Sequence, residues 1–255
     1  MRSQPATVFL LPLAALILFG CATPPKHHGN PEAARIARTY GLPEFDRVEA
    51  IRYTFNVKLP DKTVSRSWVW EPKPDRVTFT PAGENPEPVT YLRENREAAG
   101  VDRKIDAWFV NDNFWLLFPF HVEWTPNLTF SSAKNQPLPL SDGRADRVTV
   151  QFPGEKGYTP GDAYDLFYGP TYRIQEWVYR KGGAAKPTRA TTWESHAKAG
   201  PILLSLDHRG ENDFRVWFTD VAVRPAGSDD WLPASRLQDR AASGPFPDGP
   251  GAKPH

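Results

Sequence analysis

The stretch IRYTFNVKLPDKTVSRSWVW, residues 51–70, decides the fold with a single hairpin. Apolar and polar side chains alternate over residues 51–58, which is the period of a strand buried on one face. The segment LPDKT then supplies turn residues, and the chain returns over residues 64–70 with Trp68 and Trp70 on one face. The stretch predicts two antiparallel strands that share an aromatic face.

The same pattern continues along most of the chain. Short connections rich in Gly, Pro or charge favour antiparallel neighbours in a meander. A sheet buried on one face must curl to cover its apolar side. We therefore predict a mainly β (α+β) fold, a single strongly curved antiparallel sheet forming an incomplete barrel, with one to three helices against its concave face. The further predicted strands cover residues 76–80, 147–152, 163–168, 172–180, 189–194, 202–208 and 214–224.

Two helices are predicted. The first covers residues 31–41, PEAARIARTYG, because Asn30 can cap it and Gly41 can end it. The second is expected near residues 102–108, and the proline-rich residues 81–90 are expected to form a loop.

The stretch FVNDNFWLLFPFHVEW, residues 109–124, is unusually aromatic. Its uninterrupted apolar run is far shorter than the ~20 residues that a membrane-spanning helix needs. Residues 111–113, Asn-Asp-Asn, favour a turn, and Pro119 breaks a helix or a central strand. We therefore predict that one element ends at residues 107–110 and another begins at residues 114–118, lining a cavity or a core.

The first residues, MRSQPATVFLLPLAALILFGC, have the organisation of an export signal. Their apolar run ends in LFGC, which resembles the lipobox of bacterial lipoproteins. In that family the cysteine thiol is diacylated, the leader is cut before it, and the new amino terminus is acylated. The resemblance implies a signal peptide at residues 1–20, lipid attachment at Cys21 and a tether over residues 21–30. Because Ala22 rather than Asp follows the cysteine, it also implies an outer-membrane location on the periplasmic face.

Composition narrows the function classes. The 31 basic and 30 acidic residues nearly balance, which disfavours nucleic acid as a partner. Cys21 is the only cysteine, so once it is lipidated no internal disulfide is expected. Nine Trp and fifteen Phe make the chain rich in aromatic side chains. These side chains must pack in a core or line a site for an apolar ligand.

Catalytic and metal-binding patterns are not found in the sequence. His121, His196 and His208 are scattered, without a nucleophile or acid at a catalytic spacing. Asp162 and Asp165 are weak candidates for a hard cation, although a tight turn stabilised by Asp162 explains them better. We therefore predict that the protein is not an enzyme and has no cofactor.

A second resemblance rests on the order of strands and aromatic blocks. The helix followed by YTFNV, SRSWVWEP, FVNDNFWLLFPF, GYTPGDAYDL, RIQEWVYR and FRVWFTDVAV resembles the lipoprotein-carrier superfamily, the LolA and LolB type. The likeness covers residues 31–225. It implies a half-barrel with helices over an apolar cavity that takes acyl chains. Residues 226–255 would be a C-terminal extension, predicted to be disordered from about residue 241.

Three functions remain open. In the first, the cavity binds lipid or lipoprotein acyl chains, in the trafficking of envelope lipids or lipoproteins. In the second, the aromatic residues fill the core of a structural or assembly lipoprotein that binds an envelope protein. A hydrolase acting on envelope polymers is a third, weaker alternative. The residues predicted to line the ligand site are Phe55, Trp68, Trp70, Phe79, Trp108, Phe114, Trp115, Leu117, Phe118, Phe120, Trp177, Tyr179 and Trp217.

Overall fold

The computed structural model describes residues 29–154, 158 and 160–237. The predicted leader, the predicted lipid-attachment residue Cys21, most of the predicted tether and the tail from residue 241 lie outside these residues.

The first helix, α1, covers Pro31–Thr39 and begins at the predicted cap. The side-chain oxygen of Asn30 accepts hydrogen bonds from the next two free backbone N–H groups, at 2.9 and 3.2 Å. Gly41 leaves the helix at a φ of 100°, and a β-carbon there would approach the carbonyl oxygen of Pro201 to 2.8 Å. Glycine is required at this position for both reasons.

The larger sheet has nine strands, all paired antiparallel, and contains the hairpin of residues 51–70. Its order is β14-β10-β11-β12-β1-β2-β3-β4, with β13 paired to β12. The strands are β1 Val48–Lys58, β2 Thr63–Glu71, β3 Arg76–Pro81, β4 Val89–Leu92, β10 Glu194–Ala199, β11 Ile202–Arg209, β12 Arg215–Pro225, β13 Leu232–Pro233 and β14 Ser235–Arg236.

The second sheet has five antiparallel strands in the order β5-β6-β7-β8-β9. The chain passes from it to the larger sheet at Trp193, whose N–H donates to the carbonyl of Gln175. Ser195, two residues further along, has a φ of 53°, in the left-handed region. The strands are β5 Thr129–Pro137, β6 Arg144–Gln151, β7 Ala163–Tyr168, β8 Ile174–Arg180 and β9 Arg189–Thr192.

The predicted fold class is confirmed: the chain is mainly β, with curved antiparallel sheets that do not close into a barrel. The strands are divided between two hydrogen-bonded sheets, however, where one continuous sheet was expected. The interruption at Trp193 causes the difference, because β9 ends at Thr192 and β10 starts at Glu194 in the other sheet, within the strand predicted over residues 189–194. The strands β13 and β14 also extend the larger sheet beyond residue 225.

The second helix, α2, covers Arg103–Trp124 and includes the whole aromatic stretch. The predicted turn at residues 111–113 is therefore wrong, as is the division into two elements separated by a loop. Asp112 and Asn113 are buried inside the helix. The Asn-Asp-Asn signal was misleading because the Asp112 carboxylate accepts from Arg66 of β2 and the side-chain oxygen of Asn113 lies 2.7 Å from Nε2 of His121 in α2, so neither side chain forms a local turn.

A kink in α2 accommodates Pro119. Leu117 has non-helical angles, φ −116° and ψ 15°, two residues before the proline. Proline has no N–H and its ring collides with the preceding turn of a straight helix, but it suits the first turn of a new segment. The break at Leu117 makes Pro119 part of such a first turn, so the helix bends and continues.

The helix α2 contacts both sheets. Phe109 lies 5.5 Å from Trp68 of the larger sheet, between ring centroids, and Phe118 lies 4.6 Å from Tyr164 of the smaller one. The core therefore surrounds α2 and is rich in aromatic rings. Among the described residues, no helix has the length and apolarity needed to cross a membrane.

Candidate functional site

An apolar cavity of about 380 Å³ lies where α2 meets the two sheets. From the larger sheet it is lined by Phe55 and Val57 of β1 and by Val216 of β12. Val57 and Val216 are directly opposite each other in the strand pair, so they project from the same face. Phe214, just before β12, completes this wall.

One face of α2 forms the second wall. It consists of Ala107, Val110, Asn111, Phe114 and Trp115. These positions follow the spacing i, i+3, i+4, i+7, i+8, which places their side chains in one stripe of a helix. The stripe ends just before the kink at Leu117, so the straight segment of α2 carries the whole of this wall.

The smaller sheet supplies three aromatic rings to the cavity. Tyr164 of β7 stacks on Trp177 and on Tyr179 of β8, with ring centroids 5.2 and 5.3 Å apart. Trp115 meets Trp177 edge to face at 4.8 Å. Trp177 is almost fully buried, so this end of the cavity is its floor.

Five of the residues predicted from the sequence line this cavity: Phe55, Phe114, Trp115, Trp177 and Tyr179. A smaller adjoining space of about 240 Å³ is lined by Phe114 and by Trp70, another predicted residue. The two spaces meet along α2 because Val110 and Phe114 belong to both linings.

Other predicted residues pack between α2 and the larger sheet, away from the cavity. Trp68 lies 4.7 Å from Phe79, and Phe79 lies 6.2 Å from Trp108, measured between ring centroids. Trp68 and Phe79 are buried and Trp108 is half-buried. These rings pack together in the core and do not belong to the cavity lining.

The last predicted residues also lie outside the cavity lining. Leu117, Phe118 and Phe120 follow the cavity stripe of α2 and are fully buried in the core. Trp217 lies on the opposite face of β12 from Val216, because side chains alternate along a strand. Its ring contacts the guanidinium of Arg215, 4.8 Å from the ring centroid.

A buried ion pair fixes α2 to the larger sheet beside the cavity. Arg66 of β2 donates from Nε and Nη2 to the two carboxylate oxygens of Asp112, at 2.7 and 2.6 Å. The indole N–H of Trp68 donates to the same carboxylate at 2.9 Å. Burial raises the pKa of Asp112, and the hydrogen bonds and charge of Arg66 act against this shift. Arg66 also contributes to the cavity lining.

A second carboxylate of α2 joins the cavity mouth to strand β4. Asp106 accepts hydrogen bonds from the hydroxyl of Tyr91 at 3.1 Å, from Nε of Arg93 at 2.8 Å and from the hydroxyl of Tyr158 at 2.9 Å. Burial alone raises the pKa of the Asp106 carboxyl, but these bonds and the charge of Arg93 outweigh it, so the pKa is lowered. Tyr158 lines the cavity and is tied to α2 by this bond.

The two aspartates considered as cation ligands are engaged by protein donors. Asp162 accepts from the hydroxyl of Tyr179 at 3.0 Å and from the N–H of Gly182 at 2.7 Å. Asp165 bonds to Thr149 and forms an ion pair with Arg180 at 2.8 Å. Burial, together with the charge of Asp162, raises the pKa of Tyr179 to about 12. Its hydroxyl is therefore a donor at neutral pH.

The three histidines within the described residues lie in separate environments. Nε2 of His121 is 2.7 Å from the side-chain oxygen of Asn113, and Nδ1 of His208 is 3.3 Å from the carbonyl of Thr192. Nε2 of His196 is 2.9 Å from the hydroxyl of Tyr40. Burial lowers the pKa of His121 and of His208 to about 3 each, so both are neutral at pH 7. No cluster of three potential metal-ligating side chains occurs within the described ranges.

Sequence reasoning missed several lining residues. The apolar stripe from Ala107 to Trp115 has a clear helical period, but the Asn-Asp-Asn turn signal concealed it. Val57 and Val216 could be found from strand alternation once their pairing is known. Arg189 carried no signal, because its approach to Phe214 depends on how two distant segments meet.

No protein-family model and no curated protein matches the chain. It is similar to a DUF1329 family protein from Desulfovibrio piger at 8% identity and a TM-score of 0.41, over 78% of this chain and 93% of that one. It is also similar to a proposed outer membrane lipoprotein-sorting protein domain from Vibrio parahaemolyticus at 10% identity and a TM-score of 0.40, over 78% and 95% of the two chains. Likenesses this distant do not extend to function.

Proposed function

We propose that the protein binds an apolar ligand, a single acyl chain, in the cavity between α2 and the two sheets. The observation that carries this proposal is the space itself, about 380 Å³ beside aromatic and aliphatic side chains. Small-molecule sites in proteins are concave, largely apolar and a few hundred Å³ in volume. Hydrocarbon gains most from such a lining, because the removal of apolar surface from water stabilises the complex.

The volume limits the ligand to one chain. The cavity of about 380 Å³ lies near the lower end of the ~300–1,000 Å³ that ligand pockets span. The three acyl chains of a mature lipoprotein would have to share this one small space. A fatty acid or one chain of a larger lipid fits the cavity better than a complete lipoprotein anchor does.

We also propose that the protein acts as a binder without catalysis, anchored through Cys21 to the outer membrane, as a member of the lipoprotein-carrier superfamily. The lipobox and the order of strands and aromatic blocks support this proposal. Metabolic labelling with radioactive palmitate, in the wild type and in Cys21→Ser, tests the anchor. Label that persists in Cys21→Ser contradicts attachment at this residue.

Filling the cavity tests the proposed function. Ala107 lines it from α2, so Ala107→Trp should occupy the space and abolish binding of decanol to the full chain, measured by calorimetry. The matched control is Ala98→Trp, which introduces the same side chain at an exposed site outside the cavity. Because the leader is common to all variants, a difference between them reports on the cavity.

A second variant fills the cavity from the opposite wall. Val57→Phe enlarges a side chain on the opposite wall and should also weaken binding. Unfolding in urea identifies any variant that has lost its fold. Decanol binding that is equal in the wild type and in a folded Ala107→Trp protein contradicts the proposal. It would then favour the alternative of a structural lipoprotein whose aromatic residues serve as core.

A further inference from the structure

Three charged side chains line the cavity, and two of them are neutralised or held by neighbours. Arg66 forms the bidentate ion pair with Asp112. Asp162 accepts hydrogen bonds from Tyr179 and Gly182. Arg189 differs, because no carboxylate among the described residues lies within ion-pair distance of it. It is the charged group of the lining that has no internal counterpart.

Arg189 is held in an orientation that suits an anion. Its guanidinium carbon lies 3.6 Å from the centroid of the Phe214 ring, so the ring covers one face of the charged group. A guanidinium stacked in this way keeps the N–H groups at its edges available for a planar or tetrahedral anion. Partial burial of the guanidinium lowers its pKa.

The position of Arg189 relative to the floor of the cavity indicates which end of a bound chain would lie at the opening. Arg189 is exposed although it lines the cavity, so it lies at the opening, whereas Trp177 at the floor is almost fully buried. Arg189 pairs directly with Tyr179 across β8 and β9, and Trp177 follows on the same face of β8. A chain lying along these rings would have its polar end at Arg189.

We propose that the ligand is a single-chain amphiphile whose anionic oxygen head group, a carboxylate or a phosphate monoester, binds the guanidinium of Arg189. The inference rests on the proposed function and adds the chemistry of the head group to it. The aromatic floor takes the chain and the cation at the opening takes the charge. Asp162, the acidic side chain of the lining, already binds the hydroxyl of Tyr179, which limits its repulsion of the head group.

Ligands with the same chain and different heads test the proposal. Decanoate, decyl phosphate and the neutral decanol are titrated into the full chain by calorimetry, below their micelle concentrations and at low salt. Hydrogen bonds to charged groups contribute enough to bind the anions about tenfold or more tightly than the alcohol. The comparison of decanoate with decyl phosphate identifies which anion the site prefers.

Variants of Arg189 test whether this side chain causes the higher affinity for the anions. Arg189→Gln should lose the advantage of the anions, so that decanoate and decyl phosphate bind about as weakly as decanol does. Arg189→Lys, which keeps the charge but not the two-pronged geometry, should retain part of the advantage. The control is Arg38→Gln on α1, an exposed site outside the cavity with the same loss of charge.

The possible outcomes separate this inference from the proposed function. Equal affinity for decanol and the anions in the wild type overturns the role of Arg189 and leaves acyl-chain binding intact. An advantage of the anions that survives in Arg189→Gln also overturns it. Binding of none of the three ligands overturns both proposals.

Discussion

The pair of Arg66 and Asp112 allows a quantitative prediction, because both groups are removed from water. The side chain of Asp112 is 0% exposed and that of Arg66 is 13% exposed. Asp112→Asn keeps the shape of the side chain but removes the charge that Arg66 requires. An unpaired buried charge typically costs about 3–5 kcal/mol of unfolding free energy. We expect a loss in this range.

Urea unfolding followed by tryptophan fluorescence measures the loss. With an m-value of about 3 kcal/mol per M, near the upper end for small proteins, the midpoint should fall by about 1–2 M. The matched control is Glu44→Gln, which removes a charge from the exposed pair with Arg47 at 2.8 Å. Exposed pairs contribute little, so this variant should change the unfolding free energy by less than about 1 kcal/mol.

A double variant distinguishes the unpaired charge from damaged packing. Replacement of a buried ion pair by apolar side chains is often neutral. Arg66→Met with Asp112→Leu should therefore recover stability, except for about 1–3 kcal/mol from the indole N–H of Trp68, which loses its acceptor. A loss below about 1 kcal/mol in Asp112→Asn would refute the reasoning, since it would mean that Arg66 is not buried against this carboxylate.

Three further predictions concern stability. Burial holds the pKa of His121 and of His208 at about 3 in the folded protein. The unfolded chain binds protons at these residues below about pH 6.5, so each histidine should lower the free energy of unfolding by about 1–2 kcal/mol between pH 6.5 and 5. Urea midpoints that do not fall over this range contradict the prediction. Asn30→Ala should lose about 1 kcal/mol through the cap of α1, and Asn30→Ser should retain most of it, in the same urea assay. Tyr158→Phe should lose about 1 kcal/mol through its bond to Asp106, and an unchanged midpoint would show that this bond does not stabilise the fold.

The strands were predictable because their signal is local. Alternation over residues 51–58 and 64–70 depends only on neighbouring side chains, and both segments lie within β1 and β2. The strand over residues 163–168 was predicted with its observed bounds. By contrast, β4 lies partly in a segment predicted as a loop, and β5 was not predicted, because its mostly exposed residues give no clear alternation of burial.

The site was less predictable, since its formation depends on long-range packing. Aromatic content identified Trp115 and Trp177 as candidates, but could not separate them from Trp68, which has the same composition signal and lies in solid core. The division into two sheets depends on the backbone at Trp193, for which a single sequence carries no strong turn signal. The position of Arg189 follows from that division and from the placement of Phe214.

The most direct test of the account is a crystal structure of the full chain with ω-bromodecanoate, using the anomalous scattering of bromine. We predict a bromine peak inside the cavity, near Trp115 and Trp177, with the carboxylate at Arg189. The peak should be absent in Ala107→Trp. A cavity filled by its own aromatic rings, with no bromine peak between α2 and the two sheets, would contradict the claim that this protein binds an acyl chain.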